Sequence, residues 1–578
     1  MRKILIAVMA AAIMGGYFSY AQNSPTNQVS TDTAYTRNLH VFNAITKYLV
    51  EAYVDSMRPD AAFEAAIAAM LNTVDPYTEY YNPDEKERLE MMTTGAYGGI
   101  GAYIMSRGKD TYISMPMEGT PSYKAGLKAG DRIIMVDSMV MTGKPSDQVT
   151  KYLKGDPGTV VNVTVNRPYV ADSILTFSIM RERVQDKSVP FYGVVNGDIG
   201  YVKLTQFIEK SAKEVKDALE SFKKNPEIKG VVLDLRDNGG GLVESAVNIL
   251  GMFLPRGTKV VEIKGHDADS YKAYTTPASP LLPDMPLVVL IDDGSASASE
   301  ITAGALQDLD RAVLVGQRSF GKGLVQSTLQ LPYDGLLKIT TAKYHLPSGR
   351  LIQALDYSRR NPDGTVARTP DSLTNKFLTR NGRTVRDGGG LVPDSVVKVP
   401  EYSRLLYNLM LENQLFDYAT KYAATHPSIP QPKDFKVTDE IYADFVVFVD
   451  TAKIKSDKTG QRLLEELRKT ADTEGFMTDQ LKEELDALSL LLVPDLKRDL
   501  YNRKDEISRF LGREIVGRYY YRSGEEEFML YSDDEMAVAR DILTNDKLYN
   551  KILNKKGSGG SGKAAKQTSG KTSKRKKK

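Results

Sequence analysis

The chain contains no cysteine and no tryptophan, and only four histidines among 578 residues. Without cysteine there can be no disulfide, no thiol nucleophile and no lipid-modified N-terminal cysteine. Four scattered histidines without cysteine argue against a zinc site, and no cofactor or metal is expected. Beyond the first two dozen residues no segment approaches the ~20 consecutive apolar residues of a membrane span.

What the chain does have is apolar content of 41%, enough to build real cores, and length for about three or four ordinary domains. Charge is distributed unevenly. The net is +3, but residues 555–578 hold ten lysines or arginines and no acid, so the preceding chain carries −7, the total less those ten. This basic end, rich in Gly, Ser and Lys, cannot offset the entropy of ordering and reads as a disordered, solvated tail. A polycation can meet an anionic surface such as a membrane; no function is assigned to it, and nucleic acid is not an expected partner.

At the other end, Arg2 and Lys3 precede an apolar stretch from Ile4 to Met14, and Ser19-Tyr20-Ala21 places small residues where a signal peptidase inspects the chain. The expectation is an exported protein of the periplasm or cell envelope, cleaved after Ala21, with retention as a short membrane anchor the alternative.

Residues 38–90 carry apolar positions at steps of 3 and 4, as in AAFEAAIAAML, a helical pattern that DPYTEYY at 75–81 interrupts. From Gly95 to about Arg183 short β-type runs (YISM, RIIMVDS, VVNVTV, ILTFSIM) alternate with glycine turns, and SDQVTKYLKG suggests a helix. Within it, Gly98-Gly99-Ile100-Gly101 can present backbone N–H groups to a terminal carboxylate while the next strand takes up a peptide at its edge. Between Ile199 and Pro400, strand-like IGYVKL, GVVLDLR, PLVVLID and RAVLVG alternate with helix-like segments, the pattern of an α/β domain with a mostly parallel core. Two loops, RDNGGGLVE at 236–244 and DDGSASASE at 292–300, fall where its strands end and helices begin, the usual place for a site. Residues from Glu401 to about Leu553 read as charged helices, a packing or assembly domain without visible chemistry.

The stretch IDDGSASASEITAGALQDL at 291–309 places Ser295, Ser297 and Ser299 at alternate positions before a helix. They can serve as helix caps, or one can be a nucleophile, and a nucleophile needs a base. His40, His266 and His426 lie outside the two loops. His345, in TAKYHLPSGR, lies in the α/β region, so a Ser-His-Asp triad or an esterase-like Ser-His pair stays open, with no second feature behind it. Lys322, in RSFGKGLVQ, is the other candidate. Lysine is a base only when neutral, so its ordinary pKa of ~10.4 must fall by several units, as burial can achieve. Gly321 and Gly323 would allow close packing around it, and a surface lysine in a glycine turn is the competing interpretation.

Nine stretches resemble, in order, the carboxyl-terminal processing proteases, tail-specific serine peptidases with an embedded PDZ domain: YGGIG, AGLKAGDRI, LKGDPGT, IGYVKLTQF, LDLRDNGGGL, GSASASEI, QDLDRAVLVGQRSFGKGLVQ, ITTAKYHLPSGRLIQ and GGGLVPD. Together with the periodicities, the resemblance implies a multidomain α/β protein. Its parts are a signal peptide over 1–21, an N-terminal helical region over 22–94, a PDZ domain over 95–183, a crotonase-like α/β serine protease core over 184–400, a C-terminal helical domain over 401–554, and the basic tail over 555–578. The resemblance also implies Ser297 as nucleophile, Lys322 as general base and Gln326 orienting the lysine, with an acyl-enzyme and an oxyanion held by the N–H groups of Ala298 and Gly240. Asp308 matches an acidic position taken as structural. Gly98, Gly99, Ile100 and Gly101 would bind the free C-terminal tail of exported proteins; a regulatory adaptor and a homo-oligomer are further expectations. Two departures stand out: His345 replaces a position often aromatic in relatives, and Gly239 replaces a proline expected before two glycines, which predicts a freer loop. The alternative from another class is a non-catalytic PDZ-containing binding or scaffold protein of the cell envelope.

Overall fold

The computed structural model describes residues 28–361, 363–454 and 458–554. The leader at residues 1–21 and the basic tail at 555–578 lie outside the described residues. The chain divides into two compact units, one ending at Tyr80 and one beginning at Tyr81.

The first unit holds helices α1 (Gln28–Ala52) and α2 (Pro59–Asn72). Proline is tolerated at the first position of α2, where its missing N–H has no helical partner. Phe42 and Phe63 meet edge to face with centroids 6.0 Å apart. After α2 the Asp75 carboxylate accepts the amides of Tyr77 and Thr78, each at 2.8 Å, fixing the turn that interrupts the helical pattern.

In the second unit a short helix over Lys86–Thr94 leads into the β-rich module. Its strands are β1 (Ala96–Gly99), β2 (Ala102–Arg107), β3 (Asp110–Pro116) and β4 (Arg132–Val136), then helix α3 (Ser146–Leu153) and strands β5 (Val160–Asn166), β6 (Ile174–Met180) and β7 (Glu182–Gln185). The sheet runs β2-β3-β4-β5-β6, which leaves β2 at an edge. Alternate residues Val161, Val163 and Val165 of β5 face a core shared with Ile113, Ile133 and Leu153.

The α/β body follows with β8 (Phe191–Val195), β9 (Ile199–Lys203), α4 (Ser211–Lys223), β10 (Gly230–Asp234), α5 (Val243–Leu250), β11 (Lys259–Gly265), β12 (Lys272–Thr275), β13 (Leu287–Ile291), α6 (Ala298–Asp308), β14 (Val313–Gly316), β15 (Leu324–Gln330), β16 (Leu336–His345) and β17 (Ser395–Val396). Strands β8-β9-β10-β13-β14-β17 form one sheet in which β8 is antiparallel and the others parallel. Strands β15, β16, β11 and β12 pair antiparallel in a second sheet. The near-continuous apolar runs of β10 and β13 follow from burial on both faces. Val231, Leu233, Val289 and Ile291 face α4, α5, α6 and the second sheet, whereas Val232, Val288, Leu290 and Val313 face the other way.

That other face is covered by the C-terminal region. After α7 (Arg404–Leu411), α8 (Gln414–Thr425) and four further helices between residues 439 and 502, the segment α9 (Lys504–Leu530), two helical stretches joined at a kink at Tyr521 (φ 53°, ψ −156°), leads into α10 (Asp534–Leu543) and α11 (Asp546–Ile552). Met536, Ala539, Ile542, Leu543 and Tyr549 close the core over the parallel sheet. The region read as a packing or assembly domain supplies one wall of the α/β body. It also holds the β-rich module: Arg107, the last residue of β2, pairs with both carboxylate oxygens of Asp417 at 2.7 Å. Among the described residues, no helix is long and apolar enough to cross a membrane.

Candidate active site

The three serines occupy the turn from β13 into α6, and only one of them stands free of the packing. Ser295 Oγ donates to the carbonyl of Leu235 at 2.8 Å, and Ser299 Oγ to that of Asn238 at 2.7 Å. Both are fully buried and tie this turn to the loop after β10. Ser297, half-buried between them, adopts φ 55° and ψ −113°. A non-glycine residue in that region is strained, and the surroundings must hold it there.

What holds it is Glu300, one turn into α6 and fully buried. Its Oε2 accepts the amide of Ser297 at 2.9 Å and the amide of Lys322 at 2.9 Å. Its Oε1 accepts the amide of Gly321 at 2.8 Å and the Ser319 hydroxyl at 2.5 Å. The backbones of the serine turn and the lysine loop therefore meet on one carboxylate oxygen. Burial raises the Glu300 carboxyl to about 7, while the Ser319 hydroxyl and the three amides work in the opposite direction. Sequence reasoning passed over Glu300, although Ser297-x-x-Glu300 is the S-x-x-E spacing of a capping box.

The loop after β10 closes against the same turn. Gly240 has φ +99°, and a Cβ there would lie 2.6 Å from the Ala296 carbonyl oxygen and 2.8 Å from both the Ala298 nitrogen and the Ser297 Cβ. Only glycine fits so near the serine. The Gly240 amide, however, donates to Asn238 Oδ1 at 2.9 Å, so in this conformation it is engaged within its own loop. Ala298 opens α6, and an amide at that position has no carbonyl one turn back. The freer loop predicted from Gly239 is in fact pinned: Asn238 donates to Leu204 O at 2.7 Å, and its carbonyl accepts from the Ala296 amide at 3.0 Å and from Ser299. A Cβ on Gly239 would meet nothing within 4 Å, so no steric demand explains that glycine.

Lys322 is half-buried. The flanking glycines do what the spacing implied: a Cβ on Gly321 would lie 2.5 Å from that of Ala354, and one on Gly323 2.8 Å from Leu351. Gln326 lies in β15, and its amide nitrogen donates to Thr340 Oγ1 at 3.0 Å. Asp308 ends α6, at the far end of the helix from Ser297, and pairs with the buried Arg350 at 2.7 Å. His345 Nδ1 lies 3.1 Å from Gly349 O. Its neighbour Tyr344, fully buried, donates to the Ser297 carbonyl at 3.3 Å. Side chains alternate along a strand, so His345 faces away from the serine.

Behind both loops, Arg236 and Asp237 on one and Asp292 and Asp293 on the other form part of the wall of a cavity of about 1090 Å³. Its opposite walls are Tyr103 and Met105 of β2 and the arginine-rich face of α9, including Arg513, Arg518 and Arg522. Asp234, beneath Arg236, is buried, which opposes ionisation, but Arg236 and then Lys203 hold its carboxyl well below the usual range.

In the β-rich module, Gly98 and Gly99 lie in β1, paired with Arg183 and Glu182 of β7. The turn into β2 is therefore Ile100 and Gly101 alone. A Cβ on Gly98 would come 2.3 Å from the Gly155 carbonyl, and Gly101, at φ +74°, 2.5 Å from Thr120. Ile100 is anchored in the module's core.

Comparison with known proteins gives three matches along the chain: residues 198–366 with peptidase family S41, residues 112–167 with the PDZ domain, and residues 405–543 with the "Probable PDZ-protease, C-terminal helical domain". A carboxy-terminal-processing protease of Bartonella bacilliformis is 34% identical over 357 residues, 61% of this chain and 81% of that protein. A "Probable CtpA-like serine protease" of Staphylococcus haemolyticus is 32% identical over 429 residues, 73% of this chain and 83% of that protein. Among solved structures, the photosystem II D1 C-terminal processing protease is 28% identical, covers 62% of this chain and 86% of its own, and superposes with a TM-score of 0.34.

Proposed function

Because the chain belongs to the carboxy-terminal-processing serine proteases of peptidase family S41, we propose that its peptide-bond chemistry is carried by Ser297 as nucleophile and Lys322 as general base. The single observation that supports this pairing is the Glu300 carboxylate, one oxygen of which accepts the amides of both residues. Their backbones thereby lie close enough for a lysine stem to bring its amine to the serine hydroxyl.

In the proposed reaction the neutral Lys322 amine takes the proton from Ser297 Oγ as it attacks the scissile carbonyl. The amine then passes that proton to the leaving nitrogen, and an acyl-enzyme forms on Ser297. Water, deprotonated by Lys322, resolves it. The developing oxyanion meets the Ala298 N–H at the positive end of α6, each such donor being worth about 3 kcal/mol in a dry site. The second donor, Gly240 N–H, serves only after it exchanges Asn238 Oδ1 for the oxyanion. Gln326 is assigned to orient the lysine amine through its amide oxygen.

Substrate selection is assigned to the PDZ domain. A peptide C-terminus would add at the open edge of β2, with its carboxylate at the amides of Ile100 and Gly101. The leader pattern in the sequence supports exported proteins as the substrates and the cell envelope as the place of reaction. The test is cleavage of a peptide with a free apolar C-terminus by the full chain. Ser297→Ala and Lys322→Ala are each expected to lower kcat at least 10³-fold, with circular dichroism and tail binding unchanged. Cleavage by Lys322→Ala at the normal rate would remove the lysine from the mechanism.

A further inference from the structure

Two segments of the candidate active site, the loop after β10 and the lysine loop after β14, leave the parallel sheet at its strand ends, and both are tied to one residue of the C-terminal region. The first turn of α10 is fixed by Asp533, whose carboxylate accepts the amides of Glu535 and Met536 at 2.9 and 3.0 Å. That cap sets Glu535, only 9% exposed, over the ends of β10 and β14. From there its two carboxylate oxygens reach in two directions. Oε2 accepts from Arg236, two residues after β10 and four before Gly240. Oε1 accepts from Gln317 Nε2 at 3.0 Å, one residue after β14 and five before Lys322.

Each of these partners is itself locked to the elements that carry the chemistry. Arg236 donates to Asp234 at the end of β10 through Nε at 3.0 Å and pairs with Asp533 at 2.8 Å. The Gln317 amide donates to Ile291 O, the last residue of β13 before the serine turn, at 2.9 Å. Backbone and carboxylate approach closely: a Cβ on Gly316 would lie 3.3 Å from Glu535 Oε1. Beneath the carboxylate, Met536, Ala539 and Leu543 anchor α10 in the core. A carboxylate on a packed helix that joins two site loops meets the requirement for holding reacting groups in register.

Resting on the assignment of Ser297, Lys322 and Gly240 above, we propose that Glu535 is a positioning residue for catalysis. Its carboxylate clasps the oxyanion loop through Arg236 and the lysine loop through Gln317, and so sets the distance between the oxyanion donors and the base. Glu535 touches no reacting group. Its contribution lies in kcat, because displacing catalytic groups by about 1 Å costs on the order of 10²-fold in rate while leaving the proposed tail site at Ile100 and Gly101 alone. It also gives the C-terminal helical region a role in the reaction beyond that of a wall.

The experiment uses the full chain and a tailed peptide, with single-turnover acylation followed by intact mass and rates normalised to the folded fraction measured by gel filtration and thermal melting. Glu535→Ala is expected to slow acylation about 10- to 100-fold with KM within about 2-fold. Gln317→Ala, which cuts the lysine-side arm only, should lose less, and Glu535→Gln, which keeps an acceptor for Gln317, should fall between wild type and Glu535→Ala. A peptide aldehyde, whose hemiacetal oxygen occupies the oxyanion position, should lose affinity for Glu535→Ala in step with the rate, whereas the matching peptide amide should not. Asp541→Asn, exposed on the same helix, should stay within about 2-fold of wild type. Should Glu535→Ala fail to fold, Glu535→Gln and Gln317→Ala decide. Normalised acylation within 2-fold of wild type in the folded variants would overturn the proposal, as would a loss that vanishes on normalisation. Cleavage by Ser297→Ala would instead overturn the nucleophile assignment on which the proposal rests.

Discussion

At the scale of single residues, the site is organised by a carboxylate that takes no part in bond making. Glu300 gathers four donors on two oxygens, and burial nonetheless raises it to about 7. The direction of the resulting pH effect follows from that shift. A carboxyl raised in the folded state adds stability that is complete below its unfolded value near 4.5 and is lost as pH rises through about 7, on the order of 3 kcal/mol for a shift of this size. Glu300→Gln removes the titration. It also turns an amide NH2 toward groups that are themselves donors, which costs about 1–3 kcal/mol for each donor left unsatisfied. The variant should therefore be less stable than wild type in urea melts at pH 5, and the gap should narrow at pH 8; a gap that widens over that range contradicts the burial-dominated carboxyl. Glu300 was legible in the sequence as the fourth residue of a capping box, but helix formation alone explains such a glutamate. That its two oxygens also serve residues 319, 321 and 322 depends on tertiary packing that no local pattern encodes. Ser295 and Ser299, by contrast, read in the sequence as possible helix caps, and their hydrogen bonds to the carbonyls of Leu235 and Asn238 make them packing residues.

At the scale of elements, the parallel strands were the most legible part of the chain. IGYVKL, GVVLDLR, PLVVLID and RAVLVG are continuous apolar runs because their sheet is buried on both faces, and all four lie in strands of one sheet. The same two-sided burial marks what the sequence concealed, namely which helices cover the second face. Helices α10 and α11 lie far along the chain from these strands, and amphipathic periodicity gives the apolar face of a helix without naming its partner. Leu543 shows how close the fit is, since a Cβ on Gly230 of β10 would meet its side chain at 2.8 Å. Leu543→Ala should destabilise the α/β body by about 2–4 kcal/mol, as deletion of a buried leucine does when its neighbours cannot collapse into the space. Chemical denaturation followed by circular dichroism checks this; a loss under 1 kcal/mol would mean that α10 packs loosely and is a poor anchor for Glu535. The glycine-rich loop read at 98–101 was also only half legible. Gly98 and Gly99 are glycine because Gly155 and Tyr97 approach them closely, a reason invisible without the fold.

For the whole molecule, the C-terminal helical region is the common support of the other parts of the second unit. It covers the parallel sheet, holds the loops after β10 and β14 through Glu535, and fastens β2 of the β-rich module through Arg107 and Asp417. The strand proposed to receive a substrate tail and the loops proposed to cleave it are thus fixed to one helical body, across a cavity of about 1090 Å³. Motif order along the chain disclosed the protease and PDZ parts because their loops carry distinctive glycines and serines. The helical region has no such residues and disclosed only its helicity. The proposed cleavage requires that Ser297 become acylated by a substrate presented through a free C-terminal carboxylate. The most direct measurement is mass-spectrometric mapping of the acyl-enzyme formed with a tailed peptide ester, set beside the same peptide with an amidated C-terminus. An adduct on Ser297, absent in Lys322→Ala and at least tenfold weaker with the amidated tail, is the predicted result. An adduct on Ser295, Ser299 or any other residue, or equal labelling of Ser297 in Lys322→Ala, would contradict it.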